Sequence, residues 1–417
     1  MDAYIENPSP WRASRYPGYL AAATAGRIAE SMWVGVVMLV LARTHDAGLA
    51  GAIVAAATLP SLVSAPLIGA WLDVTARRRA ALAANEVALI ACVGALLLLV
   101  GHAPVPVVLL IAVAAGIGQP LVGGGFSSLM PGLVPPAALP RANALESMSY
   151  GVADVAGPAL AGVLAATLGP SAALAGQAAL AALCLALLAA LPAAVPPAED
   201  RPADVRRALA AGARLLVRTP ALRGVTTTSL LGAACFGLLT VALPTLAARL
   251  TGDTAAAGGL YAAIAGGAIA GAAVLPRLEG RVPAVALVQG ASAAQGLVFV
   301  VIGLVGTTTP VALALCVVCG LPQGLALAAL FAVRIECTPP ALRSQVFTSV
   351  AGMKAGFGAA GAAASGVLVA AYGPGATIAL VGLGLVTATA AGVACSRHAD
   401  LRLPLPGVRR ALRGARP

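Results

Sequence analysis

Apolar residues in this chain do not alternate with polar ones; they gather in long runs separated by short polar breaks. Twelve runs predict one helix each: 19–42, 48–72, 80–101, 104–129, 143–167, 171–193, 224–248, 254–275, 283–305, 309–333, 346–371 and 374–395. At ~1.5 Å of rise per residue, about twenty residues cross the ~30 Å of hydrocarbon in a bilayer. The runs are too long and too continuous for barrel strands, and lipid leaves a spanning backbone only the helix as the other solution. The expected fold class is an all-α integral membrane protein with 12 transmembrane helices.

The polar breaks carry the topology. One alternate set holds Arg12 and Arg15, the triplet Arg77, Arg78 and Arg79, then Arg141, Arg277, Arg281, Arg334 and Arg343, with further arginines in the central linker and the tail, 22 basic residues in all. The opposite set holds Arg43 and Arg249 alone. Basic residues mark the cytoplasmic side. Both termini are therefore expected in the cytoplasm, and the protein is expected to be multi-pass in the inner (cytoplasmic) membrane. The first eighteen residues lack the basic start and apolar middle of a signal peptide, so the first run reads as an uncleaved helix. Residues 194–223 form the one long internal break. It opens AVPPAEDRP, a linker composition, and continues VRRALAAGARLLVR, which predicts an amphipathic helix on the membrane surface. This divides the chain into a six-helix bundle (1–193), a cytoplasmic linker (194–223), a second six-helix bundle (224–398) and a basic cytoplasmic tail (399–417).

The halves repeat at an offset of 204 residues. Pro135-Pro136 match Pro339-Pro340, Gly157 matches Gly361, Gly162-Val163-Leu164 match Gly366-Val367-Leu368, and Gly169-Pro170 match Gly373-Pro374. A common offset without gaps points to duplication of the region around spans 4 and 5 as spans 10 and 11. Parallel six-helix repeats are one way to build an alternating-access carrier.

Composition narrows the class. Of 417 residues 60% are hydrophobic and only 10% are charged, against about 25% in ordinary soluble domains. A net charge of +11 would suit a nucleic-acid binder, but the arginines lie between apolar runs instead of on one polar face, so no nucleic-acid partner is expected. Seven cysteines are scattered, and Cys316 and Cys319 form a CxxC inside an apolar run with no second pair or nearby His. That pattern reads as small-residue packing; neither a metal nor a cofactor is expected. There is no HExxH, no GxSxG and no phosphate-binding GxxxxGK[ST], so the chain reads as neither an enzyme nor its own ATPase.

The stretch 66–79, PLIGAWLDVTARRR, joins an apolar run to a glycine, an aspartate and three arginines. With the six-plus-six pattern and the central linker, it resembles the major facilitator superfamily over nearly the whole chain. The signature of that family between helices 2 and 3 reads roughly G-x-x-x-D-R-x-G-R-[RK]. Gly69, Asp73, Arg77 and Arg78 stand in matching places, while Val74 replaces the usual Arg and Ala76 the usual Gly. The resemblance implies a conformational latch between helices 2 and 11; the residue-level alternative is a plain positive-inside anchor. In span 5, Gly157-Pro158-x-x-Ala161-Gly162 resembles the GPxxGG of the family's antiporters, and the pair Gly157 and Pro158 is expected to bend that helix. Span 4 has Gln119 but no arginine, a departure from the proton-driven drug exporters.

Charges inside a bilayer cost roughly 2.5–3.5 kcal/mol each on insertion scales, so they mark pathways or pairs. Arg27 and Glu30 share a face of span 1, either as a structural pair or as a substrate- or proton-handling one. Asp154 lies in span 5 either in the cavity or paired, with Arg27 as one candidate. Lys354 in span 11 either holds an anionic group or pairs with an acid across the interface. Glu86 reads as a partner of the arginine cluster. Gln119 and Gln323 are polar cavity candidates, as are Gln289, Gln295, Thr226 to Ser229 and Tyr261. The expected function is secondary active transport by alternating access, as proton-coupled export of a small lipophilic molecule by a monomer in the bilayer. An importer or facilitator of a small metabolite is the alternative, and a non-transporting receptor or scaffold is the alternative from another class.

Overall fold

The computed structural model describes residues 10–74, 77–135, 138–191, 205–278, 281–339 and 343–396. Among them are eleven helical runs long and apolar enough to cross a membrane. The last, Arg343–Ser396, is two helices meeting at Gly373, where the backbone turns to φ 81°, which makes twelve spans. Span 1 is Tyr16–Thr44. Span 2 is Ala47–Thr58 continued by Pro60–Val74, and span 3 is Arg78–Leu99. Span 4 runs Val105–Gly125, span 5 is Leu139–Leu168 and span 6 Pro170–Ala189. Spans 7 to 10 are Pro220–Thr251, Ala257–Leu278, Ala284–Val305 and Thr309–Cys337. Spans 11 and 12 lie before and after Gly373. Between spans 6 and 7 lies the short helix Val205–Arg218, whose Leu216 packs with Leu222, Val346 and Val350 at the ends of spans 7 and 11.

The repeat is visible in backbone geometry. Gly169 and Gly373 both take positive φ, 91° and 81°, each just before a proline that opens the next span. A residue with a Cβ would be strained at either point. The turns closing spans 1 and 7 also match: Thr44-His45-Asp46 and Thr251-Gly252-Asp253 each place their middle residue in the left-handed region. In each the threonine hydroxyl accepts from the aspartate N–H at 3.2 Å. The aspartate then caps the following helix, Asp46 accepting from Leu49 N–H and Asp253 from Ala255 N–H.

Several arginines of the connections also close helix ends. Arg78 is buried and its Nε donates to the Leu72 carbonyl, while Arg79 donates to the Leu191 carbonyl beyond span 6. Arg223 donates from Nε and Nη2 to the Cys395 carbonyl at the end of span 12. The last carbonyls of a helix have no intrahelical donor and carry partial negative charge, so a guanidinium there satisfies both needs. Arg334 departs from this pattern. The hydropathy pattern puts it in a connection; the structure keeps it inside span 10 and only 5% exposed.

The two halves meet through small residues at the end that carries Arg43 and Arg249. A methyl group at Gly51 of span 2 would stand 2.8 Å from the Ala362 carbonyl oxygen of span 11, and one at Gly366 would stand 2.9 Å from the Gly48 Cα. Gly162 of span 5 and Gly258 of span 8 leave each other no room for a methyl. Small residues let helix backbones approach this closely. Gly162 and Gly366 are repeat partners, so one duplicated position builds both seams. The duplicated Gly157 and Gly361 instead pack inside their own halves, against Ile28–Ser31 of span 1 and Ala234–Gly237 of span 7.

Candidate functional site

Below the seam lies a cavity of about 490 Å³ between the halves. Its walls are mostly apolar, with a few polar groups at separate places, the usual make-up of a small-molecule site. Glu30, Trp33 and Gln119 line it from the first half, and Gln295, Gln323 and Lys354 from the second. Asp154 and Pro158 of span 5 lie at the interface. Pro158 has no N–H to give the Asp154 carbonyl one turn earlier, so span 5 loses a backbone hydrogen bond where it meets the cavity. Span 1 tightens to a 3₁₀ turn at Ser31–Trp33 beside Glu30, and span 4 widens to a π-helical turn at Leu121–Gly125 just after Gln119 and Pro120. Such irregularities aim side chains where a regular helix would not.

Arg27 and Glu30 do not pair. Arg27 turns away from the cavity and meets Glu146 of span 5 at 2.8 Å, with both side chains almost wholly buried. It also donates to Ser149, and its guanidinium lies 3.8 Å from the Tyr150 ring centroid. Tyr19 and Ser127 each donate to the same Glu146 oxygen at 2.8 Å. A planar fork of donors is best matched by a carboxylate with further polar partners, and span 5 supplies one where Glu30 supplies a lone carboxyl. Arg27 is thus a structural tie between spans 1 and 5. Glu146 sits seven residues into span 5 and went unmarked in the sequence because polar residues cluster at that helix start.

Glu30 faces the other way, among Trp33, Gln119 and Asn85. Its Oε1, the Trp33 Nε1 and the Gln119 Oε1 make no hydrogen bond in this state. Glu86 is fully buried near it, with Asn85 Nδ2 at 3.5 Å from Oε1 and Oε2 free. Glu86 therefore is no partner of the arginine cluster: it lies two turns into span 3 and points between spans 1 and 3. Asp154 pairs with Lys354, not with Arg27, at 3.5 Å across the interface between the halves. These two side chains remain 54% and 32% exposed, so solvent reaches this pair from the side away from the seam.

Gln119 and Gln323 are 204 residues apart, hence repeat partners, and both line the cavity with an unbonded Oε1. Thr228, Ser229, Gln295 and Tyr261 also line it, whereas Gln289 is held by Thr228 at 2.7 Å and Thr226 is buried. The latch residues are only partly described. The surroundings of Gly69 and the side chain of Asp73 lie outside what is described; Arg77 is exposed, and Arg78 bonds span 2's own end. Among the described residues no group of three or more His, Cys, Asp or Glu side chains could hold a metal ion.

Residues 20–362 match the family model of the Major Facilitator Superfamily. An uncharacterized MFS-type transporter, y4rN, of Sinorhizobium fredii is 37% identical over 244 residues, covering 56% of this chain and 59% of that protein. The chain thus matches less than two thirds of that relative's length. The crystal structure of the nucleoside transporter NupG superposes with a TM-score of 0.68 at 15% identity, covering 92% of this chain and 99% of that one. A bacterial homolog of the human lysosomal transporter Spinster, solved inward-facing and unoccupied, gives a TM-score of 0.64 at 15% identity, covering 95% and 97%. At such identities the likeness is one of fold.

Proposed function

The chain belongs to the major facilitator superfamily, and from that premise we propose that it is a secondary transporter coupling protons to the export of a small, moderately lipophilic molecule. The observation that carries this is the cavity between the repeated halves, sealed at one end by Gly–Gly contacts and bridged lower down by the Lys354–Asp154 pair. Two halves meeting through small-residue seams can rock about a site between them, which is the geometry of alternating access. With the arginine-rich ends in the cytoplasm, the present state is closed outward and open inward, and the protein works as a monomer in the inner membrane.

Coupling is assigned to Glu30. Trp33, Gln119 and Asn85 beside it are neutral and the other ionisable group near it is the acid Glu86, so it can take up and release a proton without breaking an ion pair. It stands in the cavity wall, where its charge would be felt by a bound molecule. Lys354 and Asp154 join the halves in this state on the side away from the seam. The mostly apolar walls support a lipophilic cargo.

The test is dye-panel efflux from energised vesicles. Flux should fall with a protonophore, and Glu30→Gln should abolish the protonophore-sensitive part while the protein still folds. Unchanged flux under both treatments would sink proton coupling through Glu30.

A further inference from the structure

Arg334 is the buried guanidinium that the transport argument leaves unused. It lies in span 10, one turn beyond Leu330, a cavity-lining residue. Its Nη2 donates to Ser229 Oγ at 3.1 Å, and Ser229 also lines the cavity. Its Nε is buried without a partner. Among the described residues no carboxylate pairs with it. The acid whose field reaches it is Asp154, and that carboxylate already holds Lys354 at 3.5 Å. Lys354 thus has a carboxylate partner at this wall, and Arg334, just behind Ser229, has none among the described residues. Glu30, the remaining acid of the cavity, belongs to the wall built by the first half.

Burying a charge without a partner costs several kcal/mol in general, and the cost persists only where something offsets it. Membrane proteins hold such residues where a pathway or ligand needs them. The repeat sharpens the point, because the residue 204 positions earlier is Met130, equally buried and apolar. The matching sequence position of the first half thus carries no charge; it lies in the 3₁₀ turn Met130–Gly132 beyond span 4, whereas Arg334 is inside the helix of span 10.

We propose that Arg334, with Ser229 and Lys354, forms an anion-binding subsite at the edge of the cavity, and that the cargo is a lipophilic monoanion whose carboxylate docks there. A guanidinium presents a flat fork of donors that matches a carboxylate in two hydrogen bonds, and an unbonded Nε leaves part of that fork free. Lys354 is partly exposed and can lean toward the same anion when its pair with Asp154 loosens. The apolar lining takes the body of the molecule, and a volume of about 490 Å³ suits a fused-ring acid. This inference rests on the transport reading and specifies its cargo.

The test uses the full chain in nanodiscs of phosphatidylcholine, so that no anionic headgroup competes. The probes are 2-naphthoate and its neutral amide, 2-naphthamide, titrated by calorimetry. The acid should bind about tenfold tighter than the amide or better, as a hydrogen-bonded charge predicts. Arg334→Gln should bring the acid down to the affinity of the amide, with amide binding still measurable as the sign that the variant is folded; Arg334→Lys should keep part of the preference. Equal affinity for the two probes, absence of naphthoate binding, or an intact preference in Arg334→Gln would each overturn the subsite. Proton-driven flux that persists without an acid preference removes the subsite and leaves the transport reading standing. An acid preference without proton-linked flux does the reverse.

Discussion

In the first half of the molecule Arg27, Glu146, Tyr19 and Ser149 form a buried charged network between spans 1 and 5. In the second half the position matching Glu146 is Val350, buried without any polar group, and Lys354 stands where the first half has Tyr150. There spans 7 and 9 are joined by a neutral pair, Thr228 to Gln289. The same backbone plan therefore carries two kinds of interior. The ion pair ties spans 1 and 5 together, and its arginine has a carboxylate partner in Glu146 and a second acceptor in Ser149, with Nε alone left unbonded. The second half has Lys354 in an exposed bridge at the cavity and Arg334 behind Ser229, with no acid partner among the described residues. Duplication supplies the frame, and the departures from duplication supply the chemistry.

The largest effect should come from splitting the ion pair. Glu146→Leu leaves Arg27 buried without its carboxylate, a change worth ~3–5 kcal/mol in general. Thr228→Val removes a neutral hydrogen bond worth about 1 kcal/mol. Thermal unfolding in detergent should therefore fall far more for the first variant. The double variant Arg27→Met with Glu146→Leu should regain most of the loss, because no charge is then stranded. Equal losses for Glu146→Leu and Thr228→Val would erase the contrast between the halves.

That contrast was only half legible in the sequence. Spans and repeat were, because unbroken runs of about twenty apolar residues have few other meanings in water or lipid. The partners were not. Arg27 and Glu30 are three residues apart and share a helix face, yet their partners come from spans 5, 3 and 4, which sequence spacing cannot reach. Arg334 stands just past the apolar core of its run, so hydropathy alone assigns it to a connection. Glu146 lies near a polar helix start, where a carboxylate draws no notice, and Glu86 stands two turns from three arginines, which makes it read as their partner. The offset of 204 was in plain view, but only the fold shows that the matched Gln119 and Gln323 line one cavity.

Next in size is the seam. Gly162→Leu and Gly366→Leu each put a large side chain where the facing backbone leaves no space for a methyl. Either should hold the seam apart and cut flux by about tenfold or more, since about 1.4 kcal/mol of bias against the closed state suffices. A cysteine at Thr58, a cavity-lining position, reports the state in a background without native cysteines. Labelling by an impermeant maleimide from the seam side should rise in both variants. Because the two glycines are repeat partners, the rises should be similar. A response to one variant alone would show that the duplicated seams are not equivalent in work.

The smallest effect is the most discriminating. Gln119 and Gln323 are matched by the repeat, line the same cavity and each leave a carbonyl oxygen unbonded. As ligands for cargo they should behave alike: replacement by Leu removes a neutral hydrogen bond, about 1 kcal/mol or roughly fivefold in KM. They differ in their neighbours. Gln119 faces Glu30, so its loss also changes the surroundings of the carboxyl assigned to coupling. Gln119→Leu should then lower the protonophore-sensitive share of flux, whereas Gln323→Leu should raise KM and leave that share intact. Identical phenotypes would mean that the halves contribute equally to cargo and to coupling. The division of labour between a proton-handling first half and an anion-holding second half would then fail, even with the fold and its repeat unchanged.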